Sequence, residues 1–521
     1  MEHLDKRPVE NDNMNPRLPI LLLLSLLPVK AGAQDGIGSA AALQYSEDHT
    51  LWFGSENAAG LAFRPLSAFN TVGFGFGYED GAFHRYPTGE KVSDLDFDTR
   101  GALAIGKMQL WGHFRYDNIT ERGTRFNTVL FDPYDERQIF SVADPNLSDW
   151  KRQVYDMEFK AALPLGDRFA AGLHLRYTDR LAAKQVDPRS ESFKYSIELR
   201  PSLVWRIGKS ALGISGTYSN MFERSVPVLS NTSEMQEVML VRGLGNYVRD
   251  MVGSGGLSTI YYHCDSYGGA LQYHFLGNQE MLAEVSFLHH GTSTRESATQ
   301  PFNMGSVAMN EISASVQFAG YSSLLKAEFL YRDTEATEYT SVWNKSTGEW
   351  EVRTSALGST YGTLRASLSG DRYFGHRDAM PYIWKLSGKA GWVSKTDRYM
   401  LPEASFEYSN LGFSASLQRL FGNGKVLWEA SVEAGYKLNL AGAYNYTGMQ
   451  KDGIPVKEWY PHDMEILSSN AAFGAAGLGM GAPLSGRMSG MKLTASCSAG
   501  CIMAGQNKNR LLLSAGVGLI F

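Results

Sequence analysis

The sequence predicts an all-β protein, a single transmembrane antiparallel β-barrel of about 18 strands (range roughly 14 to 20) with short periplasmic turns and long outer loops. Three observations predict this fold. Apolar and polar residues alternate over segments longer than the usual ~5–6 residues of a strand. Tight turns and long connections follow one another between these segments. The composition is aromatic and glycine-rich yet mildly polar, with 54 Gly, 26 Tyr, 26 Phe, 10 Trp and a mean hydropathy of −0.24.

Residues 1–33 are predicted to be an N-terminal extension followed by a cleaved signal peptide. From Met14 the chain reads MNPRLPILLLLSLLPVKAGAQDG, with a basic residue, a short apolar run and small residues at Ala31 and Ala33. This layout places cleavage before Gln34. The polar stretch ahead of Met14 suggests that translation starts at Met14. The small-residue site directly after the apolar run favours a signal peptide over a buried helix of a soluble protein.

Residues 34–68 precede the first predicted strand and contain LWFGSENAAGLAFRP. Asn57, Gly60 and Leu61 in this stretch resemble the Asn-Pro-Ala-Gly-Leu element in the N-terminal hatch of the long-chain fatty acid transporter family. The resemblance implies a segment that threads into the barrel lumen as a plug. Ala58 stands where that family has proline, and the predicted strand count exceeds that of the family. The alternative is a periplasmic lead-in outside the barrel.

Residues 69–521 are predicted to form the barrel. In FKYSIELRPSLVW, which begins at Phe193, apolar side chains alternate with polar and charged ones. Such alternation places one row of side chains in lipid and the next in a wet lumen. The expected lumen lining therefore includes nine charged residues: Glu158, Lys160, Arg176, Lys194, Glu198, Arg200, Glu328, Glu429 and Glu433.

The last segment, SAGVGLIF, keeps apolar residues at alternate positions up to Phe521. It resembles the C-terminal insertion signal of bacterial outer-membrane barrels, with Ser514, Gly516, Leu519 and Phe521 at the matching positions. The resemblance implies recognition by the barrel assembly machinery and residence in the cell outer membrane. The chain as a whole is similar to the uncharacterised outer-membrane β-barrel families of Bacteroidota-type bacteria, including families labelled only as domains of unknown function.

Candidate metal ligands and catalytic groups are few. Cys497 and Cys501 fall on one apolar face of a predicted strand and are interpreted as small apolar filler rather than metal ligands. His263 and Asp265, beside Cys264, are interpreted as rim residues, because adjacent strand residues point to opposite faces. The chain contains no nucleophile elbow, zinc-protease motif or phosphate-binding glycine loop. We therefore predict no metal, no cofactor and no enzymatic activity.

Two functions remain open from the sequence. The first is a pore or a hatch-gated transporter for a small or apolar solute. The alternative is a non-catalytic barrel that is the partner of an outer-membrane receptor or a secretion complex. The expected partners are the lipid bilayer, the barrel assembly machinery and an outer-membrane receptor or lipoprotein. A net charge of −5 argues against nucleic acid.

Overall fold

The computed structural model describes residues 39–521, apart from 129, 232–233, 254–256, 298–300, 377–379, 423–425 and 506–507. The predicted cleavage residues Ala31, Ala33 and Gln34 lie outside the described residues. Within the described part, strands dominate and helices are short. None of these helices has the length and apolar character needed to cross a membrane.

Eighteen antiparallel strands form the wall of a barrel. They are β1 (Phe69–Asp80), β2 (Lys91–Ile105), β3 (Met108–Thr124), β6 (Ser148–Leu165), β7 (Phe169–Lys184), β8 (Arg189–Ile207), β9 (Ser210–Val228), β12 (Ile260–Leu276), β13 (Glu280–Glu296), β14 (Phe302–Gly320), β15 (Ser323–Asn344), β16 (Glu349–Phe374), β17 (Trp384–Tyr399), β18 (Ala404–Gly422), β19 (Leu427–Tyr446), β20 (Ala471–Pro483), β21 (Lys492–Ala504) and β22 (Asn509–Ile520). The first and last strands pair with each other, which closes the sheet. The predicted fold class and strand number are confirmed.

The alternation of side chains explains why these strands form a membrane barrel. On β8, Ile197, Leu203 and Trp205 point outward and are 45–54% exposed, whereas the intervening Ser202 and Val204 are buried. An apolar outer face combined with a closed sheet leaves no unpaired backbone group in lipid. Together these features are those of an outer-membrane β-barrel, and the protein is located in the outer membrane.

The two ends of the barrel differ in their connections. Tight turns at 106–107, 166–168, 208–209, 277–279 and 321–322 lie at one end. Gly166 and Gly208 have positive φ angles of 80° and 60°, which glycine adopts without steric cost. The three longest connections, 125–147, 229–259 and 447–470, lie at the other end. Because short turns face the periplasm in such barrels, the long connections lie on the outer side.

Two further groups of elements accompany the wall. On the periplasmic side are α1 (Ala40–His49) and two 3₁₀ helices, Leu51–Gly54 and Ala58–Ala62. On the outer side, β4 (Asn127–Thr128), β5 (Ser141–Asp144), β10 (Gln236–Gly243) and β11 (Asn246–Val252) form a separate small sheet. A π-helical turn, Pro455–Trp459, leads into α2 (Tyr460–Ser468). We call the small sheet, its flanking residues 125–147 and α2 the outer lid.

Candidate functional site

The N-terminal segment 39–68, called the hatch below, lies against the inner surface of the barrel. Ser55 donates a hydrogen bond to the Glu284 carboxylate at 2.6 Å, and the backbone N–H of Glu56 donates to the same oxygen. The Lys160 ammonium donates to the backbone carbonyl of Phe53 at 2.9 Å. These partners sit on inward positions of β13 and β6, so the contacts hold the hatch within the lumen.

Asn57 is the most fully bonded side chain of the hatch. Its amide nitrogen donates to the backbone carbonyls of Leu203 and Ile214 and to the Gln272 side chain, at 3.1, 3.3 and 2.9 Å. Its amide oxygen accepts from the backbone N–H of Ala59 and so caps the second 3₁₀ helix. The side chain is completely buried, and every one of these bonds replaces a lost contact with water.

Two glycines in the wall allow this close approach. A Cβ atom at Gly172 would lie 2.2 Å from the backbone nitrogen of Ala59, and one at Gly213 would lie 2.7 Å from the Asn57 amide. Within the hatch, a Cβ at Gly60 would overlap the Trp52 ring at 1.9 Å. Of the three predicted hatch residues, the structure therefore places Asn57 and Gly60 at the tightest contacts. The third, Leu61, is buried in the adjoining apolar cluster.

A cavity of about 550 Å³ separates α1 from the opposite wall of the barrel. The inward positions of β20, β21, β22 and β1 on that wall carry almost only small residues, and we call this surface the glycine–serine wall. Its members are Gly73, Gly75, Gly477, Gly479, Thr494, Ser496, Ser498, Ser514, Gly516 and Gly518. Asp96, Asp98, Arg100 and Glu429 add charge to the lining. Small side chains leave open space here, because the spacing between neighbouring strands is the same whether their side chains are small or large.

The outer lid is held to the wall by buried ion pairs. Glu136, in the connection between β4 and β5, contacts the ammonium of Lys395 at 2.6 Å and the guanidinium of Arg332 at 3.6 Å. Asp135 next to it contacts the ammonium of Lys194 at 3.1 Å. Lys194 and Lys395 lie on opposite parts of the barrel wall, on β8 and β17. The lid is therefore tied across the lumen.

A second lid contact centres on Glu223 of β9, whose side chain is completely buried. Its carboxylate accepts hydrogen bonds from the backbone N–H of Phe131, from the Gln138 amide and from the Ser192 hydroxyl, each at 2.7 Å. The Lys194 ammonium lies 3.2 Å away. A buried carboxylate with this many donors is strongly anchored and fixes the lid residues that surround it.

The lid contact of Glu136 is expected to weaken in acid. Burial by itself raises the pKa of the Glu136 carboxyl, but Lys395 and Arg332 outweigh it and hold the pKa below the ordinary value of 4.5. A lowered pKa in the folded state contributes stability that is present above 4.5 and is lost as the pH falls through the folded-state pKa. We therefore expect the stability difference between the wild type and Glu136→Gln to shrink as the pH falls below 4.5.

Urea unfolding of the two proteins in detergent, followed over a pH series, measures this difference. Glu407→Gln is the matched control, since Glu407 forms an exposed pair with Arg398 at 3.6 Å. A difference between wild type and Glu136→Gln that stays constant across the series would contradict the expectation.

The predicted lumen residues lie in several separate parts of the barrel. Beside the hatch, Lys160 lies 3.4 Å from Glu158, and Arg200 lies 3.1 Å from Glu198. Arg176 pairs with Asp156 at 2.5 Å. The remaining four residues lie apart from these. Lys194 contacts the lid, and Glu429 lines the cavity. Glu328 pairs with Lys326, and Glu433 lies on β19 opposite Ser416.

The predicted insertion-signal residues lie on β22 and directly after it. Ser514 shares a hydrogen bond with Ser498 at 2.7 Å and, with Gly516, belongs to the glycine–serine wall. Leu519 is opposite Val72 of β1. Phe521 exchanges two backbone hydrogen bonds with Asn70, at 2.7 and 3.0 Å. These residues thus form part of the closing seam between the first and last strands.

The candidate ligand clusters from the sequence separate in the structure. Cys264 is buried on the inward face, while His263 and Asp265 contact each other on the outward face at 3.1 Å. Cys497 is exposed on the outer face of β21, and Cys501 is half-buried there. Within the described residues, no group of three or more His, Cys, Asp or Glu side chains could hold a metal ion.

Apart from Lys194, the residues that hold the lid were not predicted from the sequence. Glu223 alternates with outward residues of β9, so the periodicity that found the other lumen residues could have found it as well. Glu136 lies in a long connection without periodicity, and nothing local indicates its contact with Lys395, 259 residues away. Gly172 and Gly213 look like ordinary strand glycines until the hatch is in place.

Several solved barrels are similar to this chain. The ferric citrate transporter FecA, in its unliganded form, is 11% identical with a TM-score of 0.38, and the match covers 87% of this chain and 79% of FecA. FyuA, the ferric yersiniabactin uptake receptor from Yersinia pestis, is 8% identical with a TM-score of 0.41, covering 87% and 80%. A deltaS2S3 mutant of TodX, a monoaromatic hydrocarbon channel, is 11% identical with a TM-score of 0.30, covering 89% and 92%.

Comparison by sequence gives a family. None of the curated proteins matches the chain. The model of a family of unknown function, DUF6850, matches residues 58–521, which confirms the expectation of an uncharacterised barrel family. The match covers the second 3₁₀ helix of the hatch and all eighteen wall strands. The chain belongs to the family of unknown function DUF6850.

Proposed function

We propose that this outer-membrane barrel is a hatch-gated transporter for a small polar solute. The observation that carries the proposal is the cavity of about 550 Å³ between α1 and the glycine–serine wall. An 18-stranded barrel encloses an aqueous channel unless something fills it, and here the hatch leaves open space along one part of the wall, at β20–β22 and β1. The solute path is therefore the unfilled side, along the glycine–serine wall.

The contacts of the hatch are unevenly distributed, which suits a gate. Its 3₁₀ helices are fixed to β7, β8 and β9 by buried bonds and by close backbone approach. The helix α1 is held by fewer polar contacts, including those of Glu47 with Arg100 at 3.1 Å and of the Tyr45 hydroxyl with the backbone carbonyl of Tyr321 at 2.7 Å. Its apolar side chains pack into two clusters on the wall. A displacement of α1 would widen the path while the rest of the hatch stays anchored.

The lining of the path favours a polar solute over an apolar one. Pockets for apolar ligands are lined mainly by aromatic and large aliphatic side chains. The inward positions here carry hydroxyls, glycine backbone and the charged groups of Asp96, Asp98, Arg100 and Glu429. Such a surface can exchange hydrogen bonds with water or with a hydroxylated or charged solute.

Conductance across planar bilayers tests the proposal. We expect the refolded wild-type protein to be closed or to open rarely, and a variant lacking residues 39–68 to give steady current steps. A deletion within the exposed β15–β16 hairpin tip is the control and should stay closed. Steady steps from the wild type would make the protein an open pore. The absence of current from the folded hatch-deletion variant would contradict transport along the cavity.

A second candidate function, a non-catalytic partner protein, is favoured by the β15–β16 hairpin. Among the described residues, 341–344 and 349–352 pair in the ladder only with each other, so this hairpin extends beyond its described neighbours. Near its tip, Trp343 and Trp350 pack edge to face with centroids 5.5 Å apart, and Val342 and Val352 are exposed. Exposed aromatic and apolar side chains are typical of docking surfaces. If neither the wild type nor the hatch-deletion variant gave any current in the conductance experiment, this function would be favoured.

A further inference from the structure

We propose that a groove on the outer surface of β3 and β6–β9 binds the phosphate-bearing headgroup of a glycolipid in the outer leaflet. The groove has a volume of about 540 Å³. Its lining includes Asn118, Thr120, Lys151, Gln153, Phe193 and Arg224. The inference concerns the lipid-facing side of the wall and is independent of what passes through the lumen.

The height of the groove follows from the aromatic side chains below it. On β6, Lys151 and Gln153 share the outward face with Tyr155, and on β9 Arg224 shares it with Phe222. Tyr155 packs against Tyr116 with ring centroids 4.9 Å apart, and Phe222 packs against Tyr195 at 5.7 Å. Belts of Tyr and Phe mark the boundary between hydrocarbon and headgroups. The groove lies just beyond this belt, on the side of the long connections, and so at the headgroup level of the outer leaflet.

The charge of the groove suits an anion. Lys151 and Arg224 are exposed, and within the described residues neither forms an ion pair. They are separated across the sheet by β7 and β8, which is three strand spacings or about 14 Å, and along the strands by two residues, since Lys151 is level with Val226. Between them lie the small Ala183 on β7 and, opposite it on β8, Glu191. Glu191 is the one acidic side chain in the lining, so the cations outnumber the acids two to one.

The outward face of β15 carries acidic side chains instead of basic ones, so an anionic headgroup should prefer the groove to β15. There the side chains that follow Tyr331 on the outward face are Asp333 and Glu335, which would repel an anionic headgroup. Basic groups at the membrane surface attract anionic lipids over roughly one Debye length, and basic pockets between elements hold individual headgroups. The two cations flanking one groove therefore define a site, whereas the β15 surface does not.

Binding of purified full-length protein to lipid A in detergent micelles tests the site. The probes are phosphorylated lipid A, the same lipid after removal of its phosphates, and free inorganic phosphate; native mass spectrometry counts the adducts. We expect phosphorylated lipid A to bind the wild type at least about tenfold more tightly than Lys151→Glu/Arg224→Glu, because charge reversal replaces attraction by repulsion. Lys345→Glu, in the exposed β15–β16 turn, should bind like the wild type.

Three results would overturn the inference. One is equal binding of phosphorylated lipid A to the wild type and to the double variant. Another is that the wild type binds the dephosphorylated lipid as tightly as phosphorylated lipid A, which would show that the phosphates are not recognised. The third is displacement of the lipid by millimolar phosphate in the double variant and the wild type alike. If the charge-reversal variant does not fold, Lys151→Gln/Arg224→Gln takes its place. Heat-modifiable migration in gel electrophoresis checks that each variant is folded.

Discussion

Replacing Gly172 with leucine is expected to turn the closed barrel into a conducting one. A Cβ at this position would lie 2.2 Å from the nitrogen and 2.6 Å from the Cα of Ala59, distances that real Cβ atoms essentially never show. The obstructing atoms are backbone, so no side-chain rotation can relieve the overlap. The second 3₁₀ helix, Ala58–Ala62, must therefore move away from β7. Since this helix anchors the hatch, its displacement should release the hatch from the lumen.

The expected size of the effect follows from the energy of overpacking. Extra atoms in a well-packed site cost typically about 1–3 kcal/mol, and about 1.4 kcal/mol changes an equilibrium tenfold. We therefore expect Gly172→Leu to raise the open fraction in planar bilayers by roughly tenfold or more. Faster proteolytic cleavage within residues 39–68 should accompany the current.

Gly216→Leu is the matched control for this substitution. Gly216 is also a strand glycine in the same part of the wall, on β9, but it faces lipid, and a Cβ there would meet no atom within 4 Å. The control protein should remain closed and protease-resistant. If Gly172→Leu behaves like the control, the hatch does not gate the barrel through its contact with β7.

Replacing Glu223 with alanine is expected to produce the largest loss of stability. The substitution removes the acceptor for the Phe131 N–H, the Gln138 amide and the Ser192 hydroxyl, and it leaves the Lys194 ammonium with one carboxylate fewer. Breaking a buried charge pair on one side costs about 3–5 kcal/mol. We expect a loss of that size in the free energy of unfolding, measured in urea, together with exposure of the 125–147 connection to added protease.

Two variants test whether the loss comes from the buried carboxylate. Glu223→Gln keeps the shape and one acceptor oxygen, so its loss should be smaller than that of alanine. Glu407→Ala removes a carboxylate from an exposed pair with Arg398, and such pairs contribute about 0–1 kcal/mol. A Glu223→Ala protein as stable as Glu407→Ala would show that Glu223 does not hold the lid.

Under the proposed function, the separation between path and anchor explains how one barrel can be anchored on one side and open on the other. Buried polar bonds and close backbone contacts are concentrated on β7–β9, where the hatch is fixed. The glycine–serine wall on the other side offers little side-chain surface for the hatch to bind. The same strands that close the sheet, β1 and β22, therefore also border the proposed path.

The local sequence was sufficient for the wall. Alternation along each strand specifies which residues face lipid. Successive side chains point to opposite faces of a strand, and only apolar side chains are stable on the face that contacts lipid. The outward position of Cys497 and the inward position of Lys160 both follow from this rule. The strand count followed in the same way, since each long alternating segment between turns crosses the membrane once.

Only the tertiary structure decided how the hatch and the lid attach within the lumen. Alternation identifies Lys160 and Lys194 as lumen residues, but the first meets the hatch and the second meets the lid. Their partners, Phe53 and Asp135, lie in segments without a repeating pattern. Contacts of this kind join positions far apart in the chain, so no local preference encodes them. The sequence by itself determined a membrane barrel with a polar interior; the packing of non-periodic segments into that interior determined where the hatch and the lid attach to the wall.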